Sequence, residues 1–251
     1  MIKRYPILDV WVDAVDMEGA LKRAVEFVET GDRPHTIFAC NPEKNFSVPK
    51  DPLLYKTFQN ADLLIPDGIG VVLAARILHG ARLRRVPGCE LMQNLCGLAA
   101  EKKYEIFIYG AKEEVNKAAA DRLGERFPDI RIAGRSHGYV PEEGMEALVG
   151  RINESKARIL FLALGSPKQE QWISKYLDRL KHVRVCQGIG GTLDVLAGTV
   201  KRAPDIYCRF GLEWLYRLLS EPKRLARQKV LPVFAAQVMR ERLRKLLSSS
   251  G

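Results

Sequence analysis

Residues 159–170 read ILFLALGSPKQE. Six apolar residues run without a break into a glycine, and Ser-Pro-Lys-Gln-Glu then opens an amphipathic stretch to about Leu180. A strand apolar on both faces belongs inside a parallel sheet, covered by helices above and below. Proline is tolerated in a first helical turn, so the segment reads as strand, tight loop, helix. The same unit recurs on either side. Strands are expected at Ile7–Val12, Thr36–Cys40, Ala61–Ile65, Glu105–Tyr109, Ile130–Ala133 and Val183–Cys186. Amphipathic helices are expected at Met17–Glu29, Leu53–Phe58, Ile69–Leu78, Glu90–Lys102, Lys112–Phe127 and Glu142–Ser155. This alternation predicts an α/β fold: a Rossmann-like, mostly parallel sheet with helices on both faces. Right-handed crossovers gather the βα loops at the carboxyl ends of the strands, and a ligand belongs at that edge.

The chain has 251 residues, 47% of them hydrophobic and 28% charged. That suffices for one sizeable core with an appendage and is unlike a disordered chain. Five cysteines, at 40, 89, 96, 186 and 208, include no C-x-x-C pair. This argues against a disulfide framework and against a zinc knuckle. The N-terminus has no apolar h-region, and no run reaches ~18 apolar residues, so a soluble, intracellular chain is expected. The charge is uneven: residues 201–251 hold 12 Lys+Arg against 4 Asp+Glu, a net +8 of the chain's +10. Pro204, Pro222 and Pro232 divide that segment into basic helices that also carry Leu212, Trp214, Leu215, Tyr216, Leu218, Leu219, Phe234 and Met239. Basic and apolar residues at helical spacing suit an anionic membrane surface. A solubilising tail and an oligomerisation face are alternatives. A nucleic-acid partner is not expected, since no helix-turn-helix or RNP-like motif appears. The expected units are 1–197, a Rossmann-like core, and 198–251, a basic amphipathic helical appendage.

Candidate residues lie in the loops of the ligand edge. Asp67 follows a buried strand directly and precedes Gly68-Ile69-Gly70 and a helix. It is either a general base at the ligand edge or a helix N-cap. Asn41, with Glu43 and Asn45, follows the second strand, where an amide can fix a sugar hydroxyl or form an Asx turn around Pro42. Gly165 to Glu170 is an anion site through its backbone and Lys168, or a well-formed helix start. Gly188, Gly190 and Gly191 form a second glycine-rich turn whose amides can cradle a diphosphate. Neither turn completes the dinucleotide fingerprint, because Leu193 and Leu73 stand where its third glycine belongs. That weighs against an NAD-linked oxidoreductase on a similar sheet. There is no P-loop motif, no D-x-D, and no H-x-x-x-H among His35, His79, His137 and His182, so no metal is expected. Arg82, Arg84 and Arg85 crowd one loop, either as phosphate ligands or as a solvated basic stretch.

Taken in order, NPEKN (41–45), ADLLIPDGIGVV (61–72), RVPG (85–88), YGAK (109–112), HGY (137–139), LALGSPKQE (162–170), GIGGTLD (188–194) and the 202–225 tail RAPDIYCRFGLEWLYRLLSEPKRL resemble the WecG/TagA/CpsF family of bacterial glycosyltransferases. The likeness covers roughly residues 5–230. It implies transfer of a sugar from a UDP-sugar donor to a lipid-diphosphate-linked sugar at the cytoplasmic face of the membrane, by a peripheral enzyme that needs neither metal nor cofactor. The members most like this chain move ManNAc from UDP-ManNAc to undecaprenyl-diphosphate-GlcNAc with inversion, giving a β-1,4 linkage in wall teichoic acid synthesis; others use donors such as ManNAc uronate. The resemblance places the base at Asp67, polar pocket positions at Asn41 and Gln169, and a donor-diphosphate cation at Arg85. It also points to Gly110, Tyr139, Lys168 and the Gly188–Gly191 turn for substrate binding, and to Arg217, Arg224 and Arg227 as tail arginines that close over the site. Relatives often carry Thr two residues before the asparagine, where this chain has Ala39.

Overall fold

The computed structural model describes residues 2–201, 203, 204, 206, 207, 214–216 and 229–248. Six parallel strands form the main sheet: β3 (His35–Cys40), β4 (Leu63–Pro66), β5 (Glu105–Gly110), β6 (Arg131–Ser136), β7 (Ile159–Ala163) and β8 (Val185–Gly188). Their order is β4-β3-β8-β7-β5-β6. The apolar run Ile159–Ala163 is thus a central strand, and all five of its residues are buried.

Alternation along each strand builds two cores. Ile37, Leu63, Ile106, Ile159, Phe161 and Val185 face one side. There they meet α1 (Met17–Thr30), α5 (Gly88–Lys102), α6 (Glu113–Arg126) and α9 (Thr192–Leu196). Phe38, Leu64, Phe107, Tyr109, Leu160 and Cys186 face the other side. Against them pack α2 (Lys44–Ser47) through Phe46, α3 (Pro52–Gln59), α4 (Ile69–His79), α7 (Met145–Glu154), α8 (Lys168–Tyr176) and the C-terminal helix, Val230–Ser248. Two of the helices, α1 and α3, start where a short polar side chain accepts exposed amides. Asp16 accepts from Gly19 N at 3.0 Å before α1, and Asp51 accepts from Leu53 N at 2.9 Å beside Pro52 of α3.

The structure corrects the first expected strand. Ile7–Val12 is not one strand but an antiparallel hairpin of β1 (Arg4–Ile7) and β2 (Val10–Asp13), outside the main sheet. Leu8 turns at φ 55, a conformation unusual for a branched side chain and invisible to turn rules that look for Gly or Asn. Ile7, Val10 and Val12 are still buried, so the apolar pattern was read correctly and its direction was not. The hairpin docks through buried Asp13, which pairs with Arg4 at 2.7 Å and accepts from Leu64 N at 2.8 Å.

Candidate functional site

The loops that follow the parallel strands lie on the carboxyl edge of the sheet. Following the strand order, the edge runs from Asp67 (after β4) and Asn41 (after β3) to the Gly188–Gly191 turn (after β8). It continues to Gly165–Gln169 (after β7), Gly110 (β5) and Tyr139 (after β6). Two cavities open along it, one at each end.

The first, about 420 Å³, is lined by Asn41, Pro42, Asp67, Arg85 and the start of α4, with Leu73, Ile77, Phe234, Val238 and Met239 beyond. Asp67 is half-buried. It does not cap α4, whose cap residue is Gly68 with no side-chain bond. Instead its Oδ1 accepts from Gly88 N, the first amide of α5, at 3.3 Å, while its own N–H donates to Cys40 O at 3.0 Å. The carboxylate is therefore held by a neighbouring helix start, and α4 directs its positive end at the same cavity. Asn41 Oδ1 accepts from Lys44 N at 3.3 Å in a local turn, and the residue lines the cavity. Of the three loop arginines only Arg85 reaches this cavity, whereas Arg82 and Arg84 line a separate groove with Asp16, Lys22 and Arg23.

The second cavity, about 350 Å³, lies at the ends of β5, β6 and β7. Tyr109, Tyr139, Lys168 and Trp172 line it, with Glu142 and Lys175 at its rim. Tyr139 is 70% exposed, an aromatic face held out in water. Burial pushes the Tyr109 phenol up to about 12, so it stays protonated at any working pH. Gly110, at φ 133, lies so close to β7 that a Cβ would meet Ala163 C at 2.4 Å.

Between the cavities runs a buried network. Gln169, 6% exposed, accepts from Gly190 N at 3.1 Å, and its amide packs where a Cβ on Gly188 would fall. It lines neither of the two cavities and holds the glycine turn instead. Its neighbour Glu170 pairs with Lys44 at 2.6 Å, and Lys44 also donates to Ser166 Oγ at 2.5 Å. Gln187, at the end of β8, donates to Gly88 O at 2.9 Å and so braces the residue that holds Asp67. Sequence reading missed the part that Lys44, Glu170 and Gln187 play in this network. Lys44 and Glu170 stood inside quoted motifs, but nothing local pairs charges 126 residues apart.

Arg217, Arg224 and Arg227 lie outside the described residues. Among the described residues no cluster of three or more His, Cys, Asp or Glu side chains could hold a metal ion. Burial pushes the Cys40 thiol, beneath Asn41, up to about 12. No described helix is long and apolar enough to cross a membrane.

The profile described as "Glycosyl transferase WecG/TagA/CpsF family" matches residues 5–248. An N-acetylglucosaminyldiphosphoundecaprenol N-acetyl-beta-D-mannosaminyltransferase of Bacillus subtilis (strain 168) is 37% identical over 209 residues, 83% of this chain and 80% of its own length. The Staphylococcus aureus (strain MRSA252) protein of the same name is 36% identical over 203 residues, covering 80% and 78% of the two chains. A chain matched from its first strand to its last described helix belongs to the WecG/TagA/CpsF glycosyltransferase family.

Proposed function

We propose that this enzyme transfers ManNAc from UDP-ManNAc to a GlcNAc-diphosphate lipid of the undecaprenyl type, with inversion and without a divalent cation. The observation that carries the reading is the first cavity. It joins a carboxylate, an amide and an arginine at one strand edge to an apolar wall, in a chain over a third identical to proteins named for this reaction.

Asp67 takes the proton from the acceptor hydroxyl as that oxygen attacks C1 of the donor sugar. The C1–O bond to UDP breaks, and its electron pair leaves on the diphosphate. Developing negative charge there is met by Arg85, the positive end of α4 and the amides of the Gly188–Gly191 turn. Asn41 orients the reacting sugar. The nucleotide extends toward Tyr139 and Lys168. Four strand spacings of ~4.8 Å separate β4 from β5, about the reach of an extended nucleoside diphosphate sugar. The basic C-terminal segment, with Arg217, Arg224 and Arg227, rests on the anionic membrane surface and closes over the site, so that lipid encounter and exclusion of water are coupled.

The test is turnover with a panel of UDP-sugars and a lipid-diphosphate-GlcNAc acceptor, with and without EDTA. ManNAc transfer unaffected by chelator is expected. Transfer that vanishes with EDTA and returns with manganese would overturn the metal-free mechanism, and preference for another sugar would overturn the donor.

A further inference from the structure

From Asp67 an apolar trough runs outward between α4 and the C-terminal helix. Leu73 and Ile77 form one wall, and Phe234, Val238 and Met239 the other. Gly70 permits the close approach of Pro42 at the head of the trough, since a Cβ there would lie 2.6 Å from Pro42 Cγ. Phe234 and Val238 are buried, whereas Leu73 and Met239 are each 50% exposed. Past Met239 the apolar line continues a turn at a time to Leu243 and Leu247, 57% and 78% exposed. Arg240, Arg242 and Arg244 flank it, all exposed, with Arg244 paired to Glu241 at 2.9 Å. Aliphatic surface left in water on this scale is unfavourable unless something covers it.

We propose that this trough holds the first isoprene units of the acceptor lipid. The inference rests on the reading that the acceptor is a lipid-diphosphate-linked sugar. In such a molecule the attacking hydroxyl and the hydrocarbon chain are joined through one sugar and a diphosphate. When the hydroxyl is at Asp67, the chain has to leave by a nearby route. The second cavity is a poor exit, because Glu142, Lys168, Gln171 and Lys175 line it. The trough starts at Asp67, is walled mainly by apolar side chains, Phe234 and Trp214 among them, and ends on the exposed Met239–Leu243–Leu247 stripe. Its flanking arginines meet anionic headgroups, so the chain passes from pocket to bilayer without crossing water. Binding then selects the acceptor by its hydrocarbon as well as by its sugar.

The experiment compares kcat/KM for two soluble acceptors, GlcNAc-diphosphate carrying farnesyl and GlcNAc-diphosphate carrying methyl, at saturating UDP-ManNAc. Leu73→Ser and Met239→Ser alter half-exposed side chains, and their melting curves confirm folding. The farnesyl-to-methyl ratio is expected to fall by about tenfold in each, as aliphatic contact with the chain is lost. It is expected to stay at the wild-type value in Leu53→Ser, an exposed leucine on α3 outside the trough. A farnesyl acceptor bearing a terminal diazirine is expected to label α4 and the C-terminal helix. Transfer to both acceptors with a ratio that neither variant moves, or labelling confined to other elements, overturns the trough. Transfer to neither acceptor by the wild-type protein overturns the acceptor reading, and the trough with it.

Discussion

At the ends of β3 and β4, Asp67, Asn41 and Arg85 face apolar walls from α4 and the C-terminal helix, with Phe234 and Trp214 among them. At the ends of β5, β6 and β7, Tyr109, Tyr139 and Trp172 stand among Lys168, Glu142 and Lys175. One sheet edge thus carries two kinds of surface. Low-dielectric walls strengthen every charge interaction inside the first cavity and exclude water, which is what proton transfer to a carboxylate needs. An open aromatic and cationic surface suits a flat base with an anionic chain attached. The Gly188–Gly191 turn lies between them, with Gln169 fixing the Gly190 amide. The difference suggests that chemistry and nucleotide recognition are divided along the edge, and that the diphosphate crosses the middle.

The division can be broken most severely at the carboxylate. Asp67→Asn is expected to lower kcat by about 10²–10⁴-fold, the usual worth of a general base, with UDP affinity retained in calorimetry. Wild-type turnover would remove Asp67 from that role. Next comes the network joining the two ends. Glu170→Ala strands the Lys44 ammonium in a buried site, and about 3–5 kcal/mol of stability is expected to be lost in denaturant melts. A change within error would mean that Lys44 finds water or another partner. The aromatic end should respond differently from the acid end. Tyr139→Ala is expected to raise KM for the UDP-sugar by about tenfold with kcat nearly unchanged, since stacking on an exposed ring is worth roughly 1–2 kcal/mol. A fall in kcat alone would contradict the division.

A control at the opposite edge sharpens the comparison. Asp62 sits before β4, at the amino end of the sheet. Burial pushes its carboxyl up, but hydrogen bonds from Arg33 (2.6 Å), His35 (3.0 Å) and Thr36 N (2.9 Å) outweigh this and hold it below the usual carboxylate range. A depressed folded value contributes stability above the unfolded pKa, and that stability is lost as pH falls through the folded one. Asp62→Asn is therefore expected to cost on the order of 1 kcal/mol at neutral pH, Arg33 being largely exposed. The gap to wild type should close in acid, with turnover per folded molecule unchanged. An altered KM would show that the amino edge reaches the site.

Much of this was legible because strand ends announce themselves. The runs into Pro66-Asp67, Cys40-Asn41 and Ala163-Leu164-Gly165 switch abruptly from apolar to polar or glycine, and period-two burial did the rest. The hairpin turn was not legible, since Leu8 adopts a positive φ that its type seldom takes. Nor was the separation of Arg85 from Arg82 and Arg84, which depends on how the loop lies between β4 and α5 rather than on spacing. Lys44 and Glu170 look like surface charges one at a time; only the fold makes them a buried pair. Asp67 was placed at the correct edge, but the N-cap alternative missed its partner, because Gly88 belongs to the next helix.

The most direct test of the division is a crystal structure of the protein with UDP bound. The account predicts uracil against Tyr139 and Lys168, the diphosphate over Gly188–Gly191, and the trough beside Asp67 left open. Uracil seated against α4 in the Asp67 cavity would contradict it.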